Sequence, residues 1–218
     1  MSVETLYQQF IESDGLWAIE RLRAFDVAFH SFKYHHTRFL ETIRADSPTQ
    51  YELAQQFIAY SGSIFPVRDQ AEQFCRYLSE ASQEAYRTRL YETVDLEVSD
   101  FLIELRNYVQ HTHIPFLFSP ENVSPRYTFR SAEIDTGVYL HVDELRDRGR
   151  EFRKEHAKQF LESHEGELIA VEPLLERYFD DSVTFNQWVL GQFRDEHADA
   201  IAEARELHDS IVEAISDH

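Results

Sequence analysis

Apolar residues recur at intervals of three and four along most of the chain, which is the spacing of amphipathic helices. The spacing predicts a short helix over about 6–11 and a long one after Asp14, whose side chain can cap it. In the next stretch, Ser47-Pro48-Thr49-Gln50 predicts a helix start with proline at the first helical position. Ser61-Gly62-Ser63 then predicts an interruption, after which Pro66 can open a new helix.

In the middle of the chain, the sequence changes from a polar stretch to an amphipathic one. Residues 80–89 are rich in Ser, Gln, Glu and Arg, which favours a loop or a frayed helix end. From Leu90 onward an apolar stripe returns, and Pro115 disfavours helix at the residue before it. We therefore expect this helix to end near His111 or His113.

The last part of the chain mixes a strand pattern with further helices. Apolar residues alternate with polar ones on either side of Asp135-Thr136-Gly137, which predicts a β-hairpin at about 126–142. Asp143 can cap a helix running to about Glu162, and the apolar spacing after Pro173 predicts two more helices.

Together these elements predict a mainly α protein, an up-and-down helical bundle with a small β-hairpin insertion and a C-terminal helical extension. The 218 residues, 43% of them hydrophobic, are enough for one core and too few to require two. The expected organisation is a single domain over 1–218, with a helical core at about 14–165, the hairpin at about 126–142 and the extension at about 166–218.

The formal net charge of -19 narrows the range of functions. Such a charge repels polyanions at long range, so RNA could be bound only where cationic groups are concentrated locally. No stretch is apolar over the roughly 20 residues that a membrane span needs, and no secretion signal is visible, so we expect a cytoplasmic protein without a membrane partner. Cys75 is the single cysteine, which excludes an intramolecular disulfide and a paired-cysteine metal site.

Three polar residues near the end of the helix that leads to His111 carry the candidate chemistry. On that helix Val98, Phe101, Leu105 and others share one face, and at about 100° per residue Asn107 and His111 point to the opposite side. Asp100 and Glu104 continue that line, and Arg106 lies on its flank. Ile103 is an apolar residue among these outward positions, which indicates that the face meets something other than water.

The pattern Arg106-Asn107-x-x-x-His111 resembles the Arg-polar-x-x-x-His motif of HEPN domains, all-helical modules of many prokaryotic toxins, defence systems and RNA-processing proteins. The resemblance covers the motif and about 100 residues before it. It implies a metal-independent endoribonuclease without a cofactor, a homodimer that faces two motif copies across its interface. In a toxin or defence setting an antitoxin or other partner protein would also be expected.

The resemblance also implies roles for the individual residues. His111 would be the general acid or base for attack by the ribose 2'-hydroxyl or for the leaving oxygen, because an imidazole titrates near neutrality. Arg106 would bind the scissile phosphate, since a guanidinium makes bidentate contacts to phosphate. Asn107 would orient either group, and His113 could assist in binding. Alternatives are a non-catalytic HEPN-like binding or scaffold protein, or a solvated helix face on which Arg106 pairs with Glu104 or Asp100.

Two other groups of residues have weaker functional interpretations. His30, His35 and His36 do not share one helical face at ligand spacing, so ordinary surface or core histidines are favoured and no metal site is expected. Arg146, Arg153, Lys154 and their basic neighbours could form a local RNA contact. Acidic residues are interleaved with them at helical spacing, which favours a helix covered with ion pairs.

Overall fold

The structure is a computed structural model that describes residues 2–46, 48–111, 115–118, 137–147 and 152–216, with the backbone alone at 116–118. Its described residues are mainly helical, which confirms the predicted class. The elements in chain order are α1 (Val3–Ile11), α2 (Asp14–Ile43), α3 (Gln50–Arg76), α4 (Glu80–Thr93), α5 (Leu96–His111), β1 (Phe116–Phe118), β2 (Val138–His141), α6 (Val142–Asp147), α7 (Glu155–Ser163), β3 (Leu168–Ala170), α8 (Val171–Glu196) and α9 (Ala198–Ser216).

The bundle is built around the long helices α2, α3 and α8. Rings from all three meet in its core, where Phe25 and Phe193 both pack against Phe74, with centroid distances of 5.0 and 4.2 Å. Helix α9 packs on α1 and α2. Its approach to α2 is so close that a Cβ atom at Gly15 would collide with the backbone carbonyl of Ala200.

Helix α3 corrects the predicted interruption at Ser61-Gly62-Ser63, because it runs unbroken through Pro66. The Ser61 and Ser63 hydroxyls donate to helix carbonyls one turn back, at 2.6 and 2.5 Å, rather than opening a turn. Ile64 and Val67, on either side of the proline, are buried. Burial of one continuous face therefore outweighs the local cost of the proline.

Two helix starts also differ from the prediction, because the side chain that caps each helix lies one or two residues from the expected place. Ser13, not Asp14, caps α2 by accepting the Leu16 N–H at 3.1 Å. Thr49 caps α3 in a reciprocal pair with Glu52, so Pro48 precedes the helix. Ser47 lies outside the described residues.

The polar stretch after α3 is the helix α4, not the loop or frayed helix end that its composition favoured. Ser79 caps it, and Tyr86 and Leu90, four residues apart, pack against the core from its inner side. Over most of α4 the apolar stripe consists of only two side chains, and for this reason the polar composition concealed the helix. Capping and tertiary contacts supply what the hydrophobic pattern did not indicate.

The strand β2 lies at the C-terminal end of the predicted hairpin, but its described partners differ from the prediction. It pairs antiparallel with β1 on one side and with β3 on the other, giving the order β1-β2-β3. The first half of the predicted hairpin lies outside the described residues. The helix predicted from Asp143 to Glu162 is wrong as a continuous element, because α6 ends at Asp147 and α7 begins only at Glu155.

Candidate functional site

Helix α5 carries the candidate motif and is held firmly at its start. The Asp95 carboxylate accepts the backbone N–H groups of Glu97 and Val98 at 3.1 and 3.2 Å, which satisfies two donors of the first turn. The predicted apolar face is buried, with Phe101 at 0% and Leu105 at 1% exposure. The helix is therefore fixed in position up to its last turns.

The opposite face of α5 is not open to solvent along its whole length. Residues 152–154 and helix α7 lie over its first half, so Ile103 is only 3% exposed and Glu104 only 7%. The Glu104 carboxylate accepts the backbone N–H of Arg153 at 3.3 Å. The prediction that Glu104 and Ile103 lie on an outward-facing side of α5 was wrong, because a later part of the chain covers them.

Asp100 is the centre of an ion-pair cluster on this covered face. Its carboxylate lies 2.6 Å from the Lys154 Nζ, 3.2 Å from the His156 Nδ1 and 3.7 Å from the Arg68 Nη1. The Asp100 side chain is 15% exposed, so these contacts are only partly screened by water. Part of the basic group predicted around residues 146–158 is thus paired with α5 instead of with its own helix.

The motif residues lie where this cover ends. Asn107 and His111 are exposed and four residues apart, one turn from each other on the same side of α5. His111 occupies the last turn of the helix. His113 lies outside the described residues.

Arg106 is half-buried and points away from this pair. Its guanidinium carbon lies 5.5 Å from the centroid of the Phe65 ring, at cation–π distance. Its Nε is buried and donates to no group in the described part of the chain. The ion pair with Asp100 or Glu104 that the alternative required is not formed, since these carboxylates have the other partners described above.

The histidines of α2 are dispersed as the spacing indicated. His36 is buried and stacks on Phe179 with a centroid distance of 3.8 Å, and burial lowers its pKa from the usual 6.5 to about 4. His30 is on the surface, where its ring nitrogen approaches the Asp26 backbone carbonyl at 2.9 Å. Among the described residues, no cluster of three His, Cys, Asp or Glu side chains could hold a metal ion.

A cavity of about 440 Å³ opens between α3, α4, α8 and the first turn of α5, the helix that carries the motif. Aromatic side chains form much of its wall, and Phe65 belongs both to this wall and to the Arg106 contact. Arg68 and Asn186, which line it, were not among the predicted site residues. The hydrophobic pattern of a helix does not distinguish a residue beside a cavity from one on a solvated or buried face.

Comparisons of the chain with protein-family models, with curated proteins and with solved structures found no match. Within the described ranges, no helix combines the length and the apolar character needed to cross a membrane.

Proposed function

We propose that the protein is an HEPN-like, metal-independent endoribonuclease that cleaves RNA by attack of the ribose 2'-hydroxyl. The observation that carries the proposal is the exposure of Asn107 and His111, which lie one turn apart at the uncovered end of α5. Arg106 immediately precedes Asn107 on the same helix. An imidazole at an accessible helix end can exchange protons with a bound ribose, which a buried one cannot.

Each residue has a defined chemical task in this proposal. His111 removes the proton from the 2'-hydroxyl or delivers one to the leaving 5'-oxygen. Asn107 donates or accepts a hydrogen bond that fixes the imidazole or the ribose. Arg106 binds the phosphate and stabilises the charge that develops on it in the transition state.

The proposal includes a homodimer, because the phosphate-binding Arg106 and the proton-transferring His111 lie on different sides of α5 within one chain. Residues five apart on a helix lie about 140° from each other around the axis. Arg106 of one protomer and His111 of its partner would then complete each site. A toxin or defence role, with an antitoxin or other protein as a further partner, belongs to the same proposal.

The test is cleavage of a fluorescently labelled RNA in the presence of EDTA. We expect activity in the wild type and losses of about 100-fold or more in Arg106→Ala and His111→Ala. Gln110→Ala is the matched control, since Gln110 is exposed on the last turn of α5 beside the motif. It should retain full activity, and equal cleavage by all four proteins would contradict the assignment.

A non-catalytic HEPN-like binding or scaffold protein is the second candidate. The position of Arg106 favours it, because a guanidinium over Phe65 with a buried Nε is partly withdrawn from solvent. The net charge of -19 also opposes RNA approaching the chain. RNA cleavage in EDTA that is no greater for the folded wild type than for Arg106→Ala and His111→Ala would support this candidate over the ribonuclease.

A further inference from the structure

The cavity between α3, α4, α8 and the first turn of α5 has the size and the interior of a small-molecule site. Its volume of about 440 Å³ falls within the roughly 300–1,000 Å³ range of ligand pockets. Phe32, Ile64, Val67 and Phe185 form part of its wall and are buried. Tyr86 packs edge to face on Phe185, with a centroid distance of 5.2 Å. Such a wall favours an apolar or aromatic group.

The opening of the cavity carries both signs of charge. The exposed residues of its lining are Arg68, Asp69 and Glu72, all on α3. Arg68 and Glu72 are four residues apart, so their side chains leave the same side of the helix, with Cβ atoms about 5–6 Å apart. Within the described residues the two do not pair with each other, because each contacts other groups. A cation and an anion therefore lie side by side at the opening without neutralising each other.

Arg68 has hydrogen-bond donors available for an anion. Its Nη1 donates to the Ser99 Oγ at 3.3 Å and lies 3.7 Å from the Asp100 carboxylate. Among the described residues, no group accepts from its Nε or Nη2. Lys154, the other cation of the lining, is instead held by Asp100 at 2.6 Å. A guanidinium binds a carboxylate through two parallel hydrogen bonds, and Arg68 can offer such a pair.

Glu72 has an oxygen available for a cation. Its Oε1 lies 3.0 Å from the Arg76 Nη2, in a pair whose side chains are 69% and 64% exposed. An exposed pair of this kind contributes little to stability, so an ammonium group can join or replace Arg76. Asp69 projects about 100° around the helix from Arg68, which makes Glu72 the carboxylate on the same side.

The phenol of Tyr86 connects the two charges with the apolar wall. Burial raises the pKa of Tyr86 to about 12, Cys75 and Glu72 raise it further, and Arg68 lowers it. A charge shifts the pKa of a neighbouring group when it lies close to that group. Arg68 and Glu72 therefore both lie near a ring of the wall, and the charges and the wall belong to one site.

We propose that this cavity binds the zwitterion of an α-amino acid with an apolar side chain, its carboxylate on Arg68 and its ammonium on Glu72. An amino acid carries both charges on one carbon atom, which matches a cation and an anion side by side. The apolar wall receives the side chain, where a polar one would lose its hydration. The proposal is independent of the ribonuclease assignment, since none of its residues belongs to the Arg106-to-His111 motif.

The experiment compares L-phenylalanine with two probes that each lack one charge. Phenylethylamine has no carboxylate, and 3-phenylpropanoate has no ammonium. Isothermal titration calorimetry should give phenylalanine an affinity about tenfold higher than either, the factor expected of one charge-assisted hydrogen bond. L-Alanine, which keeps both charges and lacks the ring, should bind about tenfold more weakly or worse, because it buries less apolar surface.

Two variants should each remove one of these preferences and keep the other. In Arg68→Gln the affinities for phenylalanine and phenylethylamine should become similar, while phenylalanine still binds better than 3-phenylpropanoate. In Glu72→Gln phenylalanine and 3-phenylpropanoate should become similar, while the preference over phenylethylamine remains. Both residues are exposed, and circular dichroism would establish that the variants fold.

Arg38→Gln and Glu41→Gln are the matched controls. They change the net charge by the same amounts as the two variants, at an exposed ion pair of α2 that does not line the cavity. Both should keep the wild-type ratios of affinity. Absence of phenylalanine binding at millimolar concentration, equal affinities for the three ring-bearing probes in the wild type, or wild-type ratios in both Arg68→Gln and Glu72→Gln would each overturn the proposal.

Discussion

The two halves of one face of helix α5 have opposite environments. In the first half, Ile103 and Glu104 are buried beneath the segment that leads into α7, and Asp100 is bound by three cationic or imidazole groups. In the second half, Asn107 and His111 are exposed. A helical period identifies the side of a helix that faces the main core, but it does not say what covers the other side.

This difference separates residues that maintain the fold from residues that are free for chemistry. A side chain beneath α7 cannot reach a polymer such as RNA, whatever its chemical type. The exposed pair can do so without displacing any part of the described chain. The boundary between the halves falls close to Arg106, which is half-buried.

The largest expected effect comes from truncating the covered half. Ile103→Ala should lower the free energy of unfolding by about 2–4 kcal/mol, since it removes a buried branched side chain and leaves a cavity against α7. Asn107→Ala, one turn further along the same face, should change it by less than about 0.5 kcal/mol. Urea denaturation measures both, and equal small losses would show that α7 does not cover the helix in solution.

The different success of sequence-based prediction in the two halves has the same physical origin. The helical class, the apolar face and the exposure of Asn107 and His111 follow from local periodicity. The burial of Ile103 depends on a segment about 50 residues away, and its apolar side chain was the one local indication of a cover. Sequence could suggest contact at that position but not that the contact comes from the same chain.

The cavity and the unbroken helix α3 were beyond prediction for a related reason. A gap between four helices depends on how their side chains fit, which no single helical pattern specifies. Pro66 and the serines before it favour a break locally, and only the burial of Ile64 and Val67 favours continuity. The cap at Thr49, by contrast, has a local signature, since Thr49-Gln50-Tyr51-Glu52 has the Thr-x-x-Glu spacing of a capping box.

A smaller effect on stability, about 2 kcal/mol, is expected from the buried imidazole of His36, which contrasts with the exposed imidazole of His111. Burial lowers the pKa of His36 to about 4, opposed by Asp180 and reinforced by Arg44. Between pH 6.5 and 4 the unfolded chain therefore binds a proton that the folded chain does not. Stability is lost as the pH falls through this window, by about 2 kcal/mol from this group between about pH 7 and about pH 5.

The variant His36→Phe removes this contribution while keeping a flat ring against Phe179. Its stability should fall less than that of the wild type over the same pH range, by about the amount given above. Urea denaturation at the two pH values provides the measurement, and the carboxylates common to both proteins cancel in the difference. Identical pH dependence in the two proteins would mean that His36 is accessible to protons in the folded state.

Asp100→Asn should have an effect of about 1–2 kcal/mol. The change removes the shared charge and leaves Lys154, His156 and Arg68 close together without compensation. These three groups are 36–47% exposed, and hydration limits the loss. Glu41→Gln breaks an exposed pair with Arg38 and should cost less than about 0.5 kcal/mol, so a similar small value for both would place Asp100 effectively in solvent.

The smallest effect concerns the boundary itself, the contact of Arg106 with Phe65. A double-mutant cycle with Arg106→Gln and Phe65→Leu, measured by urea denaturation, should give a coupling energy of about 0.5–1 kcal/mol. A charge-assisted hydrogen bond contributes about 1.5–3 kcal/mol, so a bidentate phosphate contact would be strong enough to draw the guanidinium off the ring. A coupling energy well above 2 kcal/mol would instead hold Arg106 in the covered half, and the exposed histidine would then lack the phosphate-binding group that the proposed cleavage requires.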